Sequence, residues 1–269
     1  MKMQGGRYAV ETKPTKSGVL GKIFFGTDTV LERDVAIKEV DDPAAGQREA
    51  RALVAVAGHE AILSVYDFFQ DHGHGFIVTE RIYGKPLGDD ERGRRRRVVF
   101  AVETTMNVLR GLRHMHRRGY LHTDIKPQNI LIPQRGDGPP VKIVDFGGAA
   151  RKKANDVFRG RSEAGFPPYM PPEQFDEPAV LDDSSDLYQA AGLCVYLLTG
   201  RPPIDPPDIK EDHAYYAACR KLHERGLHRE VPNPYLRAVL ARALHPDRAA
   251  RYRGAQEFID ALRPFSTDT

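Results

Sequence analysis

The stretch "YLHTDIKPQNILI", Tyr120 to Ile132, decides the fold. Between His122 and Asn129 it gathers an imidazole, the Asp124 carboxylate, the Lys126 ammonium and the Asn129 amide. Residues two apart do not share a helix face, and Pro127 steers Lys126 away from helical angles. The stretch therefore reads as a loop, and a loop can aim Asp124, Lys126 and Asn129 at one point. There a carboxylate, a cation and an amide oxygen can orient a hydroxyl, neutralise a phosphate and ligate Mg²⁺. Taken alone, the pattern fits a solvated polar turn equally well.

Downstream comes "VKIVDFGG", Val141 to Gly148. An apolar strand delivers Asp145 to a glycine-bearing turn, where its oxygens can meet a hard cation beside phosphates. An Asp-x-Gly turn that merely closes a strand is the plainer alternative. Upstream, "VAIK" alternates, so Ala36 and Lys38 share one strand face and Val35 and Ile37 the other. That suits a charge reaching into a cleft, although an exposed edge lysine has the same pattern. Glu49 follows on a helix-forming stretch, "GQREARALVAVA", and can pair with Lys38 or sit as a solvated helix charge. Before the strand lies "KSGVLGK". Gly18 and Gly21 let a backbone approach phosphate closely, or simply turn a hairpin.

The remaining pattern divides in two. "KIFFGTD" and "RDVAIKEV" are short and β-branched, and "AILSVYDFF" and "GFIVTE" flank a polar glycine loop that predicts a hairpin. Beyond "YGKPLGDD" the periodicity becomes helical: Val99, Val102, Met106, Leu109 and Leu112 recur at three and four. "SSDLYQAAGLCVYLLTG" predicts a buried helix, with Ser185 as N-cap and Gly200 as C-cap. "NPYLRAVLARAL" and "GAQEFIDALRPF" predict two more. The expected boundary falls near Ile82 to Gly84.

With 269 residues, 41% apolar and 29% charged, the chain can bury a sizeable core and has an ordinary globular composition. A net charge of +3 does not argue for nucleic acid. The two cysteines, Cys194 and Cys219, suit buried thiols in a reducing compartment. The opening "MKMQGGRYAV" has no apolar core of a signal peptide, and no apolar run has the length of a membrane span. A cytoplasmic location is expected, without membrane anchor or sensor domain.

Gly18/Gly21, Lys38, Glu49, "HTDIKPQN", "DFG" and "PPYMPPE", in this order and spacing, resemble the eukaryotic-type Ser/Thr protein kinases, in the bacterial style, from about Lys16 to Phe265. The resemblance implies an α+β, bilobal protein-kinase fold. Residues 1–82 would form a small β-rich N-lobe with one regulatory helix, and 83–269 a larger, mainly helical C-lobe. It implies ATP as phosphoryl donor, with Mg²⁺ or Mn²⁺, and a protein hydroxyl as acceptor. Lys38 would hold the α/β-phosphates and pair with Glu49. Asp124 would accept or orient the hydroxyl, Lys126 would steady the γ-phosphate, and Asn129 and Asp145 would ligate the metal. Ile23, Ala36 and Leu131 would enclose adenine. Thr79 resembles the gatekeeper, and the backbone of Glu80 and Ile82 would face the base. Glu173, Arg251 and Asp186 match structural positions: an ion pair and a brace for the loop that carries Asp124.

Four positions depart from that pattern. Thr123 stands in place of the Arg that usually receives a phosphorylated activation-loop residue, and between Asp145 and Glu173 the only aliphatic hydroxyl is Ser162. The two features agree, and they predict activity that does not depend on activation-loop phosphorylation. Lys16 occupies the first glycine position of the phosphate loop, Phe166 that of a supporting Thr, and Pro171 that of the Ala in "APE". Arg92 and Arg94 to Arg97, with Arg151, Lys152, Lys153, Arg159 and Arg161, form a basic surface that is either solvated or docks an acidic protein partner. Neither nucleic acid nor membrane is an expected partner, and no motif sets an oligomeric state. Besides an active kinase, two alternatives fit: a kinase-like scaffold with weak turnover, and a small-molecule phosphotransferase. Lys126 and Glu173 argue against the second.

Overall fold

Two alternating strands open the architecture. β4 (Gly21–Asp28) and β5 (Arg33–Val40) pair antiparallel, with Ile23 opposite Lys38 and Phe25 opposite Ala36. The structure is a computed structural model that describes residues 2–14, 16–18, 21–89, 97–134, 140–152, 167–175, 179–204, 218–219, 221–222, 231 and 233–267. β6 (Val65–Asp71) and β7 (His74–Glu80) form the hairpin predicted around the polar glycine loop. It is tighter than that loop suggested: Asp71 faces His74, and only His72 and Gly73 turn the chain, both at positive φ (47° and 82°). Such a two-residue turn matches the twist of the strands it joins.

The sequence reading missed β1 (Lys2–Met3) and β2 (Tyr8–Val10) and did not single out β3 (Lys16–Gly18) as a strand. With them the sheet has seven strands, ordered β1-β2-β4-β5-β7-β6, while β3 also pairs with β4. Arg7, just before β2, links β4 to β6 by reaching Asp28 at 3.0 Å and Asp67 at 3.1 Å. One face packs Tyr8, Phe24, Val35, Ile37, Phe69, Phe76 and Val78 into a small core.

α1 (Pro43–Ala55) crosses this sheet, starting at Pro43 rather than within "GQREARALVAVA". Asp42 caps it by accepting the Ala44 N–H, and Pro at the first position needs no donor there. Beyond β7 a second sheet orders β11 (Lys142–Ile143), β10 (Ile130–Pro133) and β8 (Gly84–Pro86), and β12 (Ala150–Arg151) pairs with β9 (Tyr120–Leu121).

The other described elements are mainly helical: α2 (Val98–Arg117), α3 (Asp183–Thr199), α4 (Pro234–Ala243) and α5 (Ala255–Leu262). A second core joins Leu53 of α1 and Ile143 of β11 to Leu109, Leu112, Leu193 and Phe258 of these helices. The fold is thus α+β and bilobal, a curled sheet with one helix above a helical lobe. The α3 cap differs from expectation. Asp182, not Ser185, is the N-cap; Ser185 sits three residues on and closes a capping box. Both residue types cap well, so the local pattern did not separate them. Gly200 is the C-cap, left-handed at φ 74°. Among the described residues no helix is long and apolar enough to cross a membrane, and Cys194 and Cys219 are buried and form no disulfide.

Candidate active site

Strand alternation puts Val35 and Ile37 in the core and leaves Ala36 and Lys38 half-buried on the opposite face, as their spacing predicted. α1 presents Glu49 to that face from its buried side. The Lys38 Nζ lies 2.9 Å from both Glu49 oxygens and 2.8 Å from Asp145 Oδ1. Burial alone would lower the lysine pKa; the two carboxylates outweigh it and hold the ammonium above its ordinary value. Burial likewise opposes charge on Asp145, but Lys38 holds its carboxyl below the usual range. The cluster is therefore an ion triad, with Lys38 cationic and Asp145 anionic.

The second group is built on the opening loop. Lys126 is extended (φ −152°, ψ 164°), as a residue before proline should be, and a 3-10 turn follows over Pro127–Asn129. Asp124 Oδ2 accepts from Lys126 Nζ at 2.7 Å and from Asn129 Nδ2 at 2.9 Å. Burial pushes the Asp124 carboxyl up to about 6, against the pull of Lys126 and Asn129. The Asn129 nitrogen also donates to the Asp124 carbonyl at 2.9 Å. With the nitrogen so committed, Asn129 Oδ1 is the atom left for a ligand.

The β10–β11 ladder brings the two groups together. Ile130 faces Ile143, and the register continues outward as Val144 N donates to Asn129 O at 2.9 Å. Asn129 and Asp145 thus leave the ladder side by side. An amide oxygen and an ionised carboxylate are hard donors, so these residues fit a magnesium ion.

Behind the loop, Asp186 of α3 is fully buried and accepts from His122 N at 2.9 Å, Thr123 N at 2.8 Å and His116 Nε2 at 2.7 Å. Gln189, one turn further on, accepts from Ile125 N at 2.8 Å and donates to Thr123 O at 2.7 Å. Sequence reasoning missed Gln189 and His116. The signal for Gln189 was a lone amide in an apolar helix, on the same face as Asp186. Glu173 and Arg251 form a buried, two-pronged pair at 2.7 and 2.8 Å, with Ser185 Oγ donating to Glu173 at 2.8 Å.

Along the cleft, Ile23, Ala36 and Leu131 are half-buried apolar residues, and Thr79 lies opposite Ala36. The Thr79 hydroxyl is 3.3 Å from the carbonyls of Ala36 and Glu80. The Glu80 N–H is taken by Ser64 O at 2.9 Å. Its carboxylate, also unforeseen, accepts from Ser64 N at 2.7 Å and from the buried Lys142 at 2.6 Å. Gly18 and Gly21 face each other at the end of the β3–β4 pair. At Gly21, φ is 127° and a Cβ would lie 2.1 Å from the Glu39 carbonyl oxygen, so only glycine fits.

Phe166, Ser162, Arg92, Arg94 to Arg96, Lys153, Arg159 and Arg161 lie outside the described residues, as does the side chain of Lys16. Of the basic surface, Arg97 and Arg151 are exposed, whereas Lys152 pairs with Asp183 at the start of α3.

Residues 15–261 match the family profile described as a protein kinase domain. Serine/threonine-protein kinase pkn2 of Myxococcus xanthus is 32% identical over 273 residues, covering 96% of this chain and 32% of the relative. Serine/threonine-protein kinase PknL of Mycobacterium tuberculosis is 36% identical over 206 residues, covering 73% of this chain and 50% of the relative. A probable serine/threonine-protein kinase of Streptomyces coelicolor is 31% identical over 268 residues, covering 94% of this chain and 39% of the relative. The chain thus spans 32% to 50% of the length of these relatives.

Proposed function

We propose that this chain, which belongs to the eukaryotic-type Ser/Thr protein kinase family, transfers the γ-phosphoryl group of ATP to serine or threonine hydroxyls of a protein. One observation carries the reading: a single lysine, Lys38, bonds both Glu49 and Asp145, although Asp145 is 107 positions away in sequence. An ion triad that joins the sheet to the loop after β11 has no role in a plain polar turn. It supports an anion site in the cleft.

In this reading adenine lies among Ile23, Ala36 and Leu131, with Thr79 behind it and the backbone of Glu80 and Ile82 at its edge. Gly18 and Gly21, without side chains of their own at the end of the β3–β4 pair, let the backbone approach the phosphates, and Lys38 binds their α/β oxygens. Asp145 and Asn129 would hold Mg²⁺, or Mn²⁺ in its place, which offsets phosphate charge when bound. Asp124 orients the acceptor hydroxyl. Its oxygen bonds to the γ-phosphorus as the bond to the β-phosphate oxygen breaks, and the proton passes to the Asp124 carboxylate. Lys126, already beside Asp124, balances the negative charge spreading over the moving group.

Activity does not depend on activation-loop phosphorylation, since Thr123 offers no cation to a phosphate. An acidic segment of the protein substrate suits the exposed Arg97 and Arg151. A cytoplasmic setting suits the two buried cysteines, which form no disulfide.

The test is transfer of labelled γ-phosphate, with Mg²⁺, to the protein itself and to generic basic and acidic substrates. Asp124→Asn, Asp145→Ala and Ser162→Ala run alongside. Label with the wild type and with Ser162→Ala, but with neither aspartate variant, is expected. ATP binding without transfer to any of these substrates would favour the scaffold reading.

A further inference from the structure

Three short polar bonds hold Thr123, beside a longer one of 3.5 Å from Gln174 Nε2 to its carbonyl. Its N–H donates to Asp186 Oδ1 at 2.8 Å, its carbonyl accepts from Gln189 Nε2 at 2.7 Å, and its hydroxyl donates to the Gly148 carbonyl at 2.7 Å. The first two run to α3, behind the loop. The third runs forward, to the turn that begins the activation segment.

The register explains why a hydroxyl is needed there. β9 and β12 pair antiparallel, with Tyr120 opposite Arg151 and Leu121 opposite Ala150. Two steps further, Thr123 comes opposite Gly148. Thr123 has left strand geometry, with φ at 67°, so its N–H is turned to Asp186 and cannot continue the ladder. The hydroxyl supplies the missing donor. A β-branched residue at positive φ is strained, and the three bonds are what hold it there. Gly148 is complementary: a Cβ at that position would come within 2.8 Å of Thr123 Oγ1. Thr123 is only 1% exposed, so a long cationic side chain would have to take another path.

We propose that the Thr123–Gly148 bond is a built-in tether that holds the start of the activation segment against the catalytic loop, so that Thr123 is a positioning residue for Asp145 and Asp124. Gly148 lies three residues after Asp145 and Thr123 directly before Asp124. The tether fixes the spacing between the two carboxylates without a phosphate or a charge. It uses a neutral hydrogen bond where an arginine would wait for a phosphorylated partner. This inference rests on the kinase reading for its effect on turnover, but not for its effect on structure.

The experiment compares wild type, Thr123→Val and Thr123→Ser. Valine keeps the branched shape and removes the donor; serine keeps the donor. The first readout is amide hydrogen exchange over residues 145–151, with ATP absent. Exchange is expected to be roughly five- to tenfold faster in the valine variant and near wild type in the serine variant, the scale of one neutral hydrogen bond. The second is phosphoryl transfer by phosphatase-treated protein. The valine variant should lose about tenfold in kcat with little change in KM for ATP, and serine should recover it. If the wild type transfers no phosphate, the kinase reading fails and the exchange result alone judges the tether. Exchange in Thr123→Val equal to wild type overturns it. So does a serine variant as impaired as valine, which would make the backbone strain, not the donor, decisive.

Discussion

Asp186 reaches Thr123 across 63 positions of sequence, its Oδ1 accepting the Thr123 N–H at 2.8 Å from inside the protein. Its other oxygen takes His122 N and His116 Nε2, so the carboxylate has donors on both sides. Asp186→Asn keeps the shape but points an N–H at one of them. We expect a loss of about 2–4 kcal/mol in urea unfolding and a larger loss of transfer, because the loop carrying Asp124 loses its brace. Burial opposes charge on Asp186, but its hydrogen bond to His116 and those to the loop hold the carboxyl below its usual range. Its contribution to stability is therefore present above about pH 4 and fades as pH falls through the lower folded value.

Asp124 has the opposite sign. Its carboxyl is pushed up to about 6 by burial, so it is ionised at pH 7.5 and protonated below its folded value. A profile of kcat/KM should be flat above that value and fall about tenfold per pH unit below it. Between the unfolded value near 4 and the folded value, the native state holds the extra proton, so this group's contribution to stability declines as pH rises. Asp124→Asn should abolish transfer yet melt no lower than wild type at pH 7.5. A large fall in its melting temperature would contradict the sign.

Gly21→Ala tests the turn before β4. The backbone there is at φ 127°, and the new methyl would meet the Glu39 carbonyl oxygen. The β3–β4 turn must open, at a cost of about 1–3 kcal/mol. Weaker ATP binding with a retained fold is the expected outcome, measured by nucleotide titration and circular dichroism.

Arg251→Met removes one partner of a buried pair and strands the Glu173 carboxylate, which is 5% exposed. A loss of about 3–5 kcal/mol is expected, whereas replacing both residues with apolar ones should cost much less. A double-mutant cycle in urea separates the two cases.

Lys142→Met leaves the Glu80 carboxylate with Ser64 N as its donor among the described residues. The strand end beside the proposed adenine position then loses its tie to β11. KM for ATP should rise about three- to tenfold while kcat changes little, since the phosphate end is untouched.

Much of this was legible along the chain. Alternation in "VAIK" placed Lys38 on the cleft face, and the helical stretch after it carried Glu49 within reach. The apolar ladder of α2 and the glycine stop of α3 follow from periods and caps, which are properties of neighbouring residues. The order of motifs sufficed to recognise the family and, through it, Asp186 and the Glu173–Arg251 pair. The N-terminal strands were not legible, because "KM" and "YAV" are too short to show a period.

What the sequence by itself determined was which residues could do chemistry and on which kind of element each would stand. Beyond the Lys38–Glu49 and Glu173–Arg251 pairs that the family resemblance named, only the tertiary structure decided who partners whom. Lys38 could have paired with Glu49 only; the packing of the sheet against the loop after β11 brought Asp145 to it as well. Ser185, read as the N-cap of α3, stands three residues inside it, where its hydroxyl accepts from Asp182 N and donates to Glu173. Thr123 read as the loss of an arginine, and became a donor to Gly148 only once its backbone turned to positive φ. The physical reason is common to all three. A period or a cap depends on residues a turn apart, whereas a ladder register, a buried ion pair and a strained φ are set by segments that meet only when the core closes.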